Sequence, residues 1–516
     1  MFCAFVDFEK AFDKVWRSGL WQKLLENNIS GKCFKVIFNM YQNIKPCVSC
    51  NGNVTNFFPC KSGVRQGENL SRVLFALFLN DLELSFVDDR CTGVRLKPDD
   101  FYNRIENVIE MFVLLYADDA VLLASNAKDL QDLLDSFHRY CKRWRININI
   151  SKTKVMIFGG SKRDYKQNYT IGEELLENVE SFKYLGITFQ RNSRFTSTKQ
   201  NLAEQATKAM YYILSQGRKL HLSVACHLKL FDAMVVPILL YGCEIWGFEN
   251  LSVIESIHLR FLKYLTSLRK STPNFMICGE LGRTNLFSSV KYRMISFWIR
   301  LISGKISKLS FVIYRLLFND NLLTETNHKW ITHMENIFDD LGLSYIWTSQ
   351  NFKSANYLKN SVKNKLNDIN LQSWIATRDS SSKGTMYKIV KNDSLYLENY
   401  INNTSENTWK ILLKFRTANH NLPVETGRWK KIPLGERKCP LCDLSDIGDE
   451  FHYLFLCQFF ENDRKSLINK FYYMKPNIYK MNMLFNTHKI GSLRKLSLFC
   501  NIIMAKFKDW KRLTYV

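Results

Sequence analysis

The chain has 516 residues, of which 46% are hydrophobic, and 72 Lys and Arg against 48 Asp and Glu give it a formal charge of +24. This composition indicates a globular protein of three or four folding units and excludes a disordered, collagen-like or coiled-coil chain. The sequence has neither an uncharged apolar run of about 18 residues, as a bilayer span requires, nor a secretory signal. We therefore expect an intracellular protein, cytoplasmic or nuclear, with no membrane partner and with mostly reduced cysteines.

The positive charge is concentrated in the later part of the chain. Residues 1–190 carry a formal charge of only +2, whereas residues 191–300 carry +9 and residues 301–516 carry +13. Such a surface attracts polyanions over long range, and nucleic acid is the most common polyanion. Basic solvated surfaces are frequent, so this signal alone is weak.

The first 86 residues are predicted to form a strand followed by helices and a hairpin. The segment 2–8 is a short apolar run typical of a buried strand, and residues up to Val15 change to a helical or turn pattern. Asn51-Gly52 tolerates the positive φ angles of a tight hairpin turn, which predicts a hairpin over 46–58. Helices are predicted at 19–28, 32–43 and 70–86, the last after the loop KSGVRQGEN.

Two apolar runs flank Tyr116-Ala117-Asp118-Asp119 between residues 111 and 125, which predicts a hairpin with two carboxylates at its turn. The segment 129–144 has the spacing of an amphipathic helix. Short strands are predicted at 155–158 and 184–189, and the pattern beyond residue 190 is mainly helical.

Three carboxylates are candidates for a catalytic site. Asp7 ends one apolar strand, and Asp118 and Asp119 lie in the turn of another hairpin, so pairing of these elements brings the three together. Such a cluster is stable if it holds cations, and hard oxygen ligands suit Mg²⁺. Two Mg²⁺ ions can support in-line phosphoryl transfer. For an isolated Asp-Asp pair in a turn, an ordinary polar hairpin tip is the simpler interpretation.

The sequence around these carboxylates favours the catalytic interpretation. In order and spacing, AFVDFEKAFDKV, GVRQGENLSRVLF with LND, LLYADDAVLLAS, ISKTKVMIF and FKYLGITF resemble motifs A to E of the reverse transcriptases of LINE-type (non-LTR) retrotransposons. The resemblance covers residues 2 to about 190, and YGCEIWGFE, GELGR and LPVETGRW resemble the downstream region of such elements more loosely. It implies an RNA-directed DNA polymerase that uses two Mg²⁺ ions and deoxynucleoside triphosphates on an RNA template with a DNA primer or target.

The resemblance also implies roles for individual residues. Asp7 and Asp118 would be the main Mg²⁺ ligands, with Asp119 completing the site and Lys152 of SKTK as the motif D cation near the pyrophosphate. The segment 182–189 would be the hairpin that grips the primer end. The implied nucleotide-binding residues are Phe8, Phe12, Gln66 and Gly67.

Phe12 would lie beneath the incoming sugar, where its ring collides with a 2′-hydroxyl and favours deoxynucleotides. Gln66 and Gly67 would contact the nucleotide and template, and glycine permits such a close approach. Each residue also has a plainer interpretation: Phe12 as an amphipathic core residue, Lys152 as a solvated lysine, and 182–189 as an ordinary apolar strand.

The chain begins six residues before Asp7, so the fingers region and the endonuclease that precede motif A in many of these elements are expected to be missing. This suggests a truncated copy or an incomplete gene model. The alternative to an active polymerase is a non-catalytic nucleic-acid-binding relic. A hydrolase has no support, because no Gly-x-Ser-x-Gly or comparable nucleophile motif is present.

A second candidate site lies near the C-terminus. Cys439, Cys442, His452 and Cys457 form a Cys-x2-Cys-x9-His-x4-Cys pattern, a ligand set for tetrahedral, structural Zn²⁺. Coincidental core cysteines are the alternative. Similar knuckles occur near the C-termini of LINE-type proteins, and the adjacent basic run KKIPLGERKCPLC suits phosphate binding. The aromatic residues at 451, 453 and 455 could stack on bases, but we favour a packed face. Cys47-x2-Cys50 has no nearby histidine and is interpreted as packing.

Together these features predict an α/β palm, an antiparallel sheet with packed helices as in right-hand polymerases. A mostly α-helical thumb and a C-terminal region with a small zinc knuckle would follow. The predicted domains are the palm with motifs A to E (1–190), a helical thumb or connection (191–300), a mostly helical basic region (301–430), and the knuckle region with a C-terminal helix (431–516).

Overall fold

The computed structural model describes residues 1–42, 44–96, 109–323 and 326–513. Its internal contacts divide the chain into two compact units. The first comprises Met1–Thr198 with Val312–Glu325, and the second comprises Lys199–Phe311 with Thr326–Val516. Within the described ranges, no helix combines the length and the apolar character that crossing a bilayer would require.

The first unit is built on a six-stranded sheet in the order β6-β7-β1-β8-β10-β9. β1 lies at its centre because its residues are almost all buried on both faces, as a central strand requires. The described strands are β1 (Phe2–Asp7), β2 (Ser49–Cys50), β3 (Asn53–Val54), β4 (Val94–Leu96), β5 (Ile109–Met111), β6 (Val113–Tyr116), β7 (Asp119–Ala124), β8 (Lys154–Ile157), β9 (Tyr169–Ile171), β10 (Glu174–Asn178), β11 (Ser181–Tyr184) and β12 (Ile187–Gln190).

The sheet is mixed, whereas the sequence led us to expect an antiparallel one. β6, β7, β1 and β8 pair antiparallel in turn, but β10 pairs parallel to β8, with Glu177 opposite Lys154. Residues 158–173 separate these two strands, which is long enough for the crossover that a parallel pair needs. β9, within that crossover, forms a hairpin with β10.

Alternation along the central strands separates two apolar cores. Ala4, Val6 and Leu122 belong to the larger core, which the helices of this unit cover. Phe5 and Val121 point to the opposite face, where they form a smaller core with Cys3, Leu123 and Met156. This division follows from the two-residue period of a strand.

The helices of the first unit largely match the predicted ones, with one exception: the segment 70–86 forms two helices instead of one. The first ends at Phe78, where the Tyr140 hydroxyl donates to Asp81 Oδ1 (2.7 Å) and its oxygen also lies 3.2 Å from the Phe78 carbonyl oxygen. Asp81 also pairs with the buried Lys23, so partners distant in sequence fix the break. The helices are α1 (Arg17–Glu26), α2 (Gly31–Gln42), α3 (Asn69–Phe78), α4 (Leu82–Asp88) and α5 (Ala127–Trp144).

Two hairpins show how turn residues determine register. The predicted turn at Asn51-Gly52 is confirmed: both residues have positive φ, 50° and 84°, between β2 and β3. The prediction of a single strand over 184–189 is wrong, because Leu185-Gly186, with φ of 47° and 82°, makes the same kind of turn between β11 and β12. The packing interpretation of Cys47 and Cys50 is also wrong, since both are exposed.

The second unit is mainly helical in its described residues, as the sequence pattern beyond residue 190 predicts, with loops and two isolated β-bridges between the helices. Two π-helical segments, Phe231–Val235 and His452–Leu456, interrupt the α-helices. The α-helices that lie wholly or partly in it are α6 (Thr196–Lys219), α7 (Val224–Leu230), α8 (Val236–Leu239), α9 (Cys243–Trp246), α10 (Ser252–Thr266), α11 (Asn274–Leu281), α12 (Leu286–Ile302), α13 (Lys308–Leu323), α14 (Lys329–Asp340), α15 (Ser344–Ser349), α16 (Ala355–Ser380), α17 (Thr385–Val390), α18 (Asn399–Asn403), α19 (Glu406–Arg416), α20 (Pro423–Trp429), α21 (Glu461–Leu467), α22 (Lys470–Tyr473), α23 (Ile478–Phe485) and α24 (Ile490–Leu513).

A buried ion-pair network ties several of these helices together. The Arg416 guanidinium donates to both carboxylate oxygens of Glu280, and both side chains are fully buried. The Tyr400 hydroxyl also donates to Glu280 (2.6 Å), and Lys391 pairs with Glu398. Since removal of one partner would leave a buried charge uncompensated, this network specifies how α11, α18 and α19 meet.

Candidate active site and metal centre

The register of the central sheet brings two of the three predicted carboxylates together. Asp7, the last residue of β1, is paired directly with Asp119, the first residue of β7. Paired residues of antiparallel strands have Cα atoms about 4.5–5.5 Å apart and side chains on the same face. Asp7 and Asp119 therefore project together, on the face that carries Phe5 and Val121.

Asp118 lies in the turn beside this pair. Tyr116 and Asp119 are also paired, so Ala117 and Asp118 alone form the turn, with Ala117 at a positive φ of 53°. Asp118 is exposed and Asp119 is half-buried. Burial, followed by the negative charges of Asp118 and Asp7, raises the pKa of Asp119 above its ordinary value. The three carboxylates thus repel one another, as expected of a site that binds cations.

The backbone of Asp7 is fixed by a segment that our sequence analysis did not connect with it. The Asp7 amide donates to Thr153 Oγ1 (3.3 Å), and the Asp7 carbonyl accepts from the Asn149 amide (2.8 Å). Thr153, fully buried, in turn donates its hydroxyl to the Asn149 carbonyl (2.9 Å). In the sequence, the feature that could have indicated this role is the threonine between the two lysines of SKTK.

Lys152 reaches one of these carboxylates, that of Asp7. Its Nζ lies 3.6 Å from Asp7 Oδ2, and its side chain remains 68% exposed. Within the described part of the chain, this is the only cation at ion-pair distance from Asp7, Asp118 or Asp119. One exposed lysine cannot neutralise three carboxylates, so the site keeps a net negative charge.

The two predicted aromatic residues have different environments. Phe12 is half-buried, with its ring centroid 5.2 Å from that of Phe75, so part of the ring stays accessible. Phe8 is buried, and its ring contacts Phe75 and Phe137. The side chain of Phe8 therefore belongs to the core, which leaves only its backbone for contact with a nucleotide.

Gln66 and Gly67 are both exposed. Gly67 has a φ of 91°, and a Cβ placed there would have no neighbour within 4 Å. Glycine is thus required at this position by its backbone angle, and the space in front of it is open to a ligand.

The loop that leads to Gln66 is held by Arg17, a residue that our sequence analysis missed. Arg17 donates to three loop carbonyls, those of Cys60 (2.8 Å), Ser62 (3.0 Å) and Gly63 (2.9 Å). A Cβ on Gly63 would lie 2.5 Å from the Asp13 carbonyl oxygen, so this loop packs tightly against the segment that follows Asp7. The three carbonyls lie 43 to 46 positions after Arg17, so no local sequence pattern signals this contact.

The β11–β12 hairpin covers the apolar surface next to the acids. The rings of Phe5 and Phe182 are stacked with centroids 4.4 Å apart, and Tyr184 lies 5.5 Å from Phe5. Burial, and then the charge of Asp119, raises the pKa of Tyr184. The hairpin is therefore adjacent to the carboxylates through Phe5 and Tyr184.

In the second unit, the four predicted metal ligands form one cluster. The ligand atoms of Cys439, Cys442, His452 and Cys457 all lie within 4.8 Å of one another. Cys439 Sγ and Cys457 Sγ are 3.9 Å apart, and Cys442 Sγ and His452 Nε2 are 3.3 Å apart. Tetrahedral Zn²⁺ with ordinary bond lengths separates its ligand atoms by roughly 3.5–3.8 Å. The donor set and its spacing fit this ion.

The surroundings of the cluster orient its ligands. His452 Nδ1 lies 3.4 Å from Asp446 Oδ2, a separation at which this carboxylate can orient the ring although no aligned hydrogen bond is formed. Burial, and then the neighbouring Cys439, raises the pKa of the Cys457 thiol to about 12. Without a metal ion, this thiol therefore stays protonated.

The aromatic residues beside the cluster are packed, as predicted. Tyr453 and Phe455 are buried, and Phe451 is half-buried with its ring centroid 5.2 Å from that of Phe455. In the basic run, Lys430, Lys431 and Lys438 are exposed, whereas Arg437 donates to the carbonyls of Ile432 and Val424. The three lysines are therefore available to a polyanion, and Arg437 is structural.

Comparison with known proteins finds relatives for the N-terminal part of the chain. Residues 1–189 match the family described as reverse transcriptase (RNA-dependent DNA polymerase). The chain is 25% identical over 291 residues to the RNA-directed DNA polymerase from the mobile element jockey of Drosophila melanogaster, which covers 54% of this chain and 29% of the relative. It is 26% identical over 316 residues to the probable RNA-directed DNA polymerase from transposon X-element of the same species, covering 55% and 30%.

A third relative is the Pol polyprotein from the type-1 retrotransposable element R2 of Popillia japonica, 24% identical over 250 residues, covering 46% of this chain and 38% of that protein. The chain spans less than a third of the length of the jockey and X-element proteins. Residues 1–189 are thus similar to reverse transcriptases, and the relatives named above come from mobile elements, transposons and retrotransposable elements.

Proposed function

We propose that the first unit contains the polymerising centre of an RNA-directed DNA polymerase of a non-LTR retrotransposon. The observation that supports this most directly is the pairing of Asp7 with Asp119, next to Asp118, at one end of β1 and β7. The ends of the two strands present carboxylate oxygens, which are the preferred ligands of Mg²⁺. The family match of residues 1–189 gives this arrangement its chemical interpretation.

In this proposal, Asp7, Asp118 and Asp119 hold two Mg²⁺ ions. When bound, these ions supply activation of the primer 3′-hydroxyl and stabilisation of the departing pyrophosphate. The protein positions the ligands: Thr153 and Asn149 fix the Asp7 backbone by hydrogen bonds, and strand register fixes Asp119. At neutral pH, bound cations would relieve the repulsion among the carboxylates.

The neighbouring residues select and orient the nucleotide. Lys152, whose Nζ is 3.6 Å from Asp7 Oδ2, would neutralise or protonate the pyrophosphate. The accessible part of Phe12 excludes a 2′-hydroxyl, and so favours deoxynucleoside triphosphates. Gln66 and the open space at Gly67 receive the nucleotide and template, while the β11–β12 hairpin holds the primer end.

We further propose that the Cys439, Cys442, His452 and Cys457 cluster binds one structural Zn²⁺. A donor set of three thiols and one imidazole leaves no position for a substrate. The ion would stabilise the surrounding segment, whose exposed Lys430, Lys431 and Lys438 would contact phosphates of the template RNA or the target DNA.

Primer extension with the purified full chain tests the polymerase proposal. The assay supplies an RNA template, an annealed DNA primer, deoxynucleoside triphosphates and Mg²⁺, and it measures both extended product and RNA binding. We expect extension that Asp118→Ala abolishes and that Asp132→Asn leaves unchanged, since Asp132 is an exposed carboxylate on the outside of α5.

Two results would contradict the proposal. Unchanged extension by the Asp118→Ala variant would show that the site is misassigned. RNA binding by the wild-type chain without any synthesis would favour the non-catalytic relic over the polymerase.

A further inference from the structure

Arg464 is a buried cation close to the Cys-His cluster. It lies on α21, and only 5% of its surface is exposed. No carboxylate lies at ion-pair distance from it within the described residues; the nearby Glu461 pairs with Lys465 instead (2.6 Å). A buried guanidinium without a compensating anion is strongly unfavourable, so its presence here requires an explanation.

The side-chain hydrogen bonds given for Arg464 all go to the segment that carries two of the cluster residues. Its Nε donates to the Leu454 carbonyl (2.8 Å) and its Nη2 to the Cys457 carbonyl (2.7 Å), with a longer contact to the Tyr453 carbonyl (3.4 Å). This segment is the π-helix His452–Leu456 followed by Cys457. Arg464 therefore fixes the backbone at the position from which the Cys457 thiol reaches the cluster.

A Cys-His cluster that holds Zn²⁺ would supply the negative charge that balances Arg464. Three thiolates and a neutral imidazole around one divalent cation have a net charge of −1. In a medium of low polarity, one guanidinium beside such a centre balances it.

We propose that Arg464 is the positioning residue of the zinc centre, holding Cys457 through its carbonyl and compensating the negative charge of the zinc–thiolate group. This inference rests on the proposed Zn²⁺ site. It explains why a full positive charge is buried without a carboxylate, and why its donors converge on residues 453–457.

A role limited to capping the backbone is the competing explanation. Both roles require the hydrogen bonds, but only the proposed role links the charge of residue 464 to metal affinity. Arg464→Lys keeps the charge and loses the planar fork of donors, whereas Arg464→Met removes both. Lys465→Met is the matched control, because it removes a neighbouring cation whose side chain is exposed.

The experiment measures Zn²⁺ affinity of the full chain by competition with a chromogenic chelator, and the Co²⁺–thiolate absorption spectrum of the cobalt-substituted protein. We expect Arg464→Met to weaken Zn²⁺ binding by about 10- to 100-fold and to alter the Co²⁺ spectrum. Arg464→Lys should be intermediate, and Lys465→Met should match the wild type.

The outcomes separate the two proposals. If the wild-type chain binds no Zn²⁺, the zinc site itself is wrong, and this inference fails with it. If the wild type binds Zn²⁺ tightly and both Arg464 variants bind it within about twofold of Lys465→Met, the site stands and the role of Arg464 is refuted. If Arg464→Met does not fold, the affinity and spectrum of Arg464→Lys decide in the same way.

Discussion

The carboxylate site of the first unit and the Cys-His cluster of the second are both candidate metal sites, but they are built in opposite ways. Asp118 is exposed and Asp7 and Asp119 are partly exposed, at the ends of strands that pair whether or not a metal is bound. The cluster draws its ligands from turns and a π-helix, and three of its four ligands are buried.

This difference separates catalytic from structural metal binding. An open site of hard oxygen ligands can exchange its ions along with substrate, and it carries a repulsion that the fold must tolerate. A closed site of thiols and imidazole has no other role than to hold its ion, and the ion contributes directly to folding. The tests below probe this contrast, beginning with the largest expected effect.

Metal removal should unfold only the cluster region. Cys457→Ser, or chelation of the wild type, should destabilise the segment around residues 439–457 by more than about 3 kcal/mol, because metal binding energy there is folding energy. Limited proteolysis and thermal unfolding measure this. Cys226→Ser, at an exposed cysteine, is the control; equal stability of both variants would mean that the cluster is not a metal site.

Loss of a carboxylate should lower activity and leave stability almost unchanged, the reverse of metal removal from the cluster. Asp7→Asn should lower the rate of primer extension by about 1,000-fold or more, equivalent to ~4 kcal/mol of transition-state stabilisation, with almost no change in thermal stability. The measurement pairs a single-turnover assay with a melting curve. If the Asp7→Asn variant unfolds, Asp7 has a structural role, and the carboxylate site no longer differs from the Cys-His cluster in this respect.

Release of the loop held by Arg17 should reduce primer extension less than loss of a carboxylate does. Arg17→Met removes donors to the carbonyls of Cys60, Ser62 and Gly63 and should reduce extension by about tenfold, because Gln66 and Gly67 would no longer be positioned. Lys128→Met, at an exposed lysine on α5, is the control. Zn²⁺ content should be unaffected; a change in it would mean that the variant perturbs the whole protein.

The smallest expected effect is a gain in stability from removing a repelling charge. Because the folded protein raises the pKa of Asp119, ionisation of this carboxyl costs stability at neutral pH. The cost disappears below the ordinary pKa of 3.8, where the group is protonated in both states. Asp119→Asn should therefore raise the melting temperature by no more than about 2–4 °C at pH 7 without Mg²⁺, since solvent screens the charges.

Melting curves between pH 3 and pH 8 check this prediction. The difference between Asp119→Asn and the wild type should vanish at low pH, and added Mg²⁺ should reduce or reverse it at pH 7. A stabilisation that is the same at every pH would assign the effect to something other than charge repulsion.

Local pattern was sufficient to predict the parts of the molecule that depend on near neighbours. The strand ending at Asp7, the turn at Asn51-Gly52 and the amphipathic helix α5 follow from residues within a few positions of one another. The spacing of the four predicted zinc ligands is similarly local, and the structure brings them together.

The features that were missed depend on partners distant in sequence. Arg17 meets carbonyls at 60–63, Thr153 supports Asp7, and Tyr140 with Lys23 stabilises the break after Phe78. The spacing of apolar residues along the sequence does not indicate contacts between residues so far apart. The parallel β8–β10 pair was missed for the same reason, because it depends on how the chain returns after residue 158.

The position of β6 at one end of the sheet has a practical consequence. Beyond β6 the described residues contribute no further strand, and Leu114, Leu115 and Tyr116 on it are exposed. Among the described residues this edge strand is unpaired on one side, and an edge with apolar side chains is a template for pairing between molecules. We expect the purified chain to self-associate at high concentration and Leu115→Lys to reduce this, as measured by light scattering.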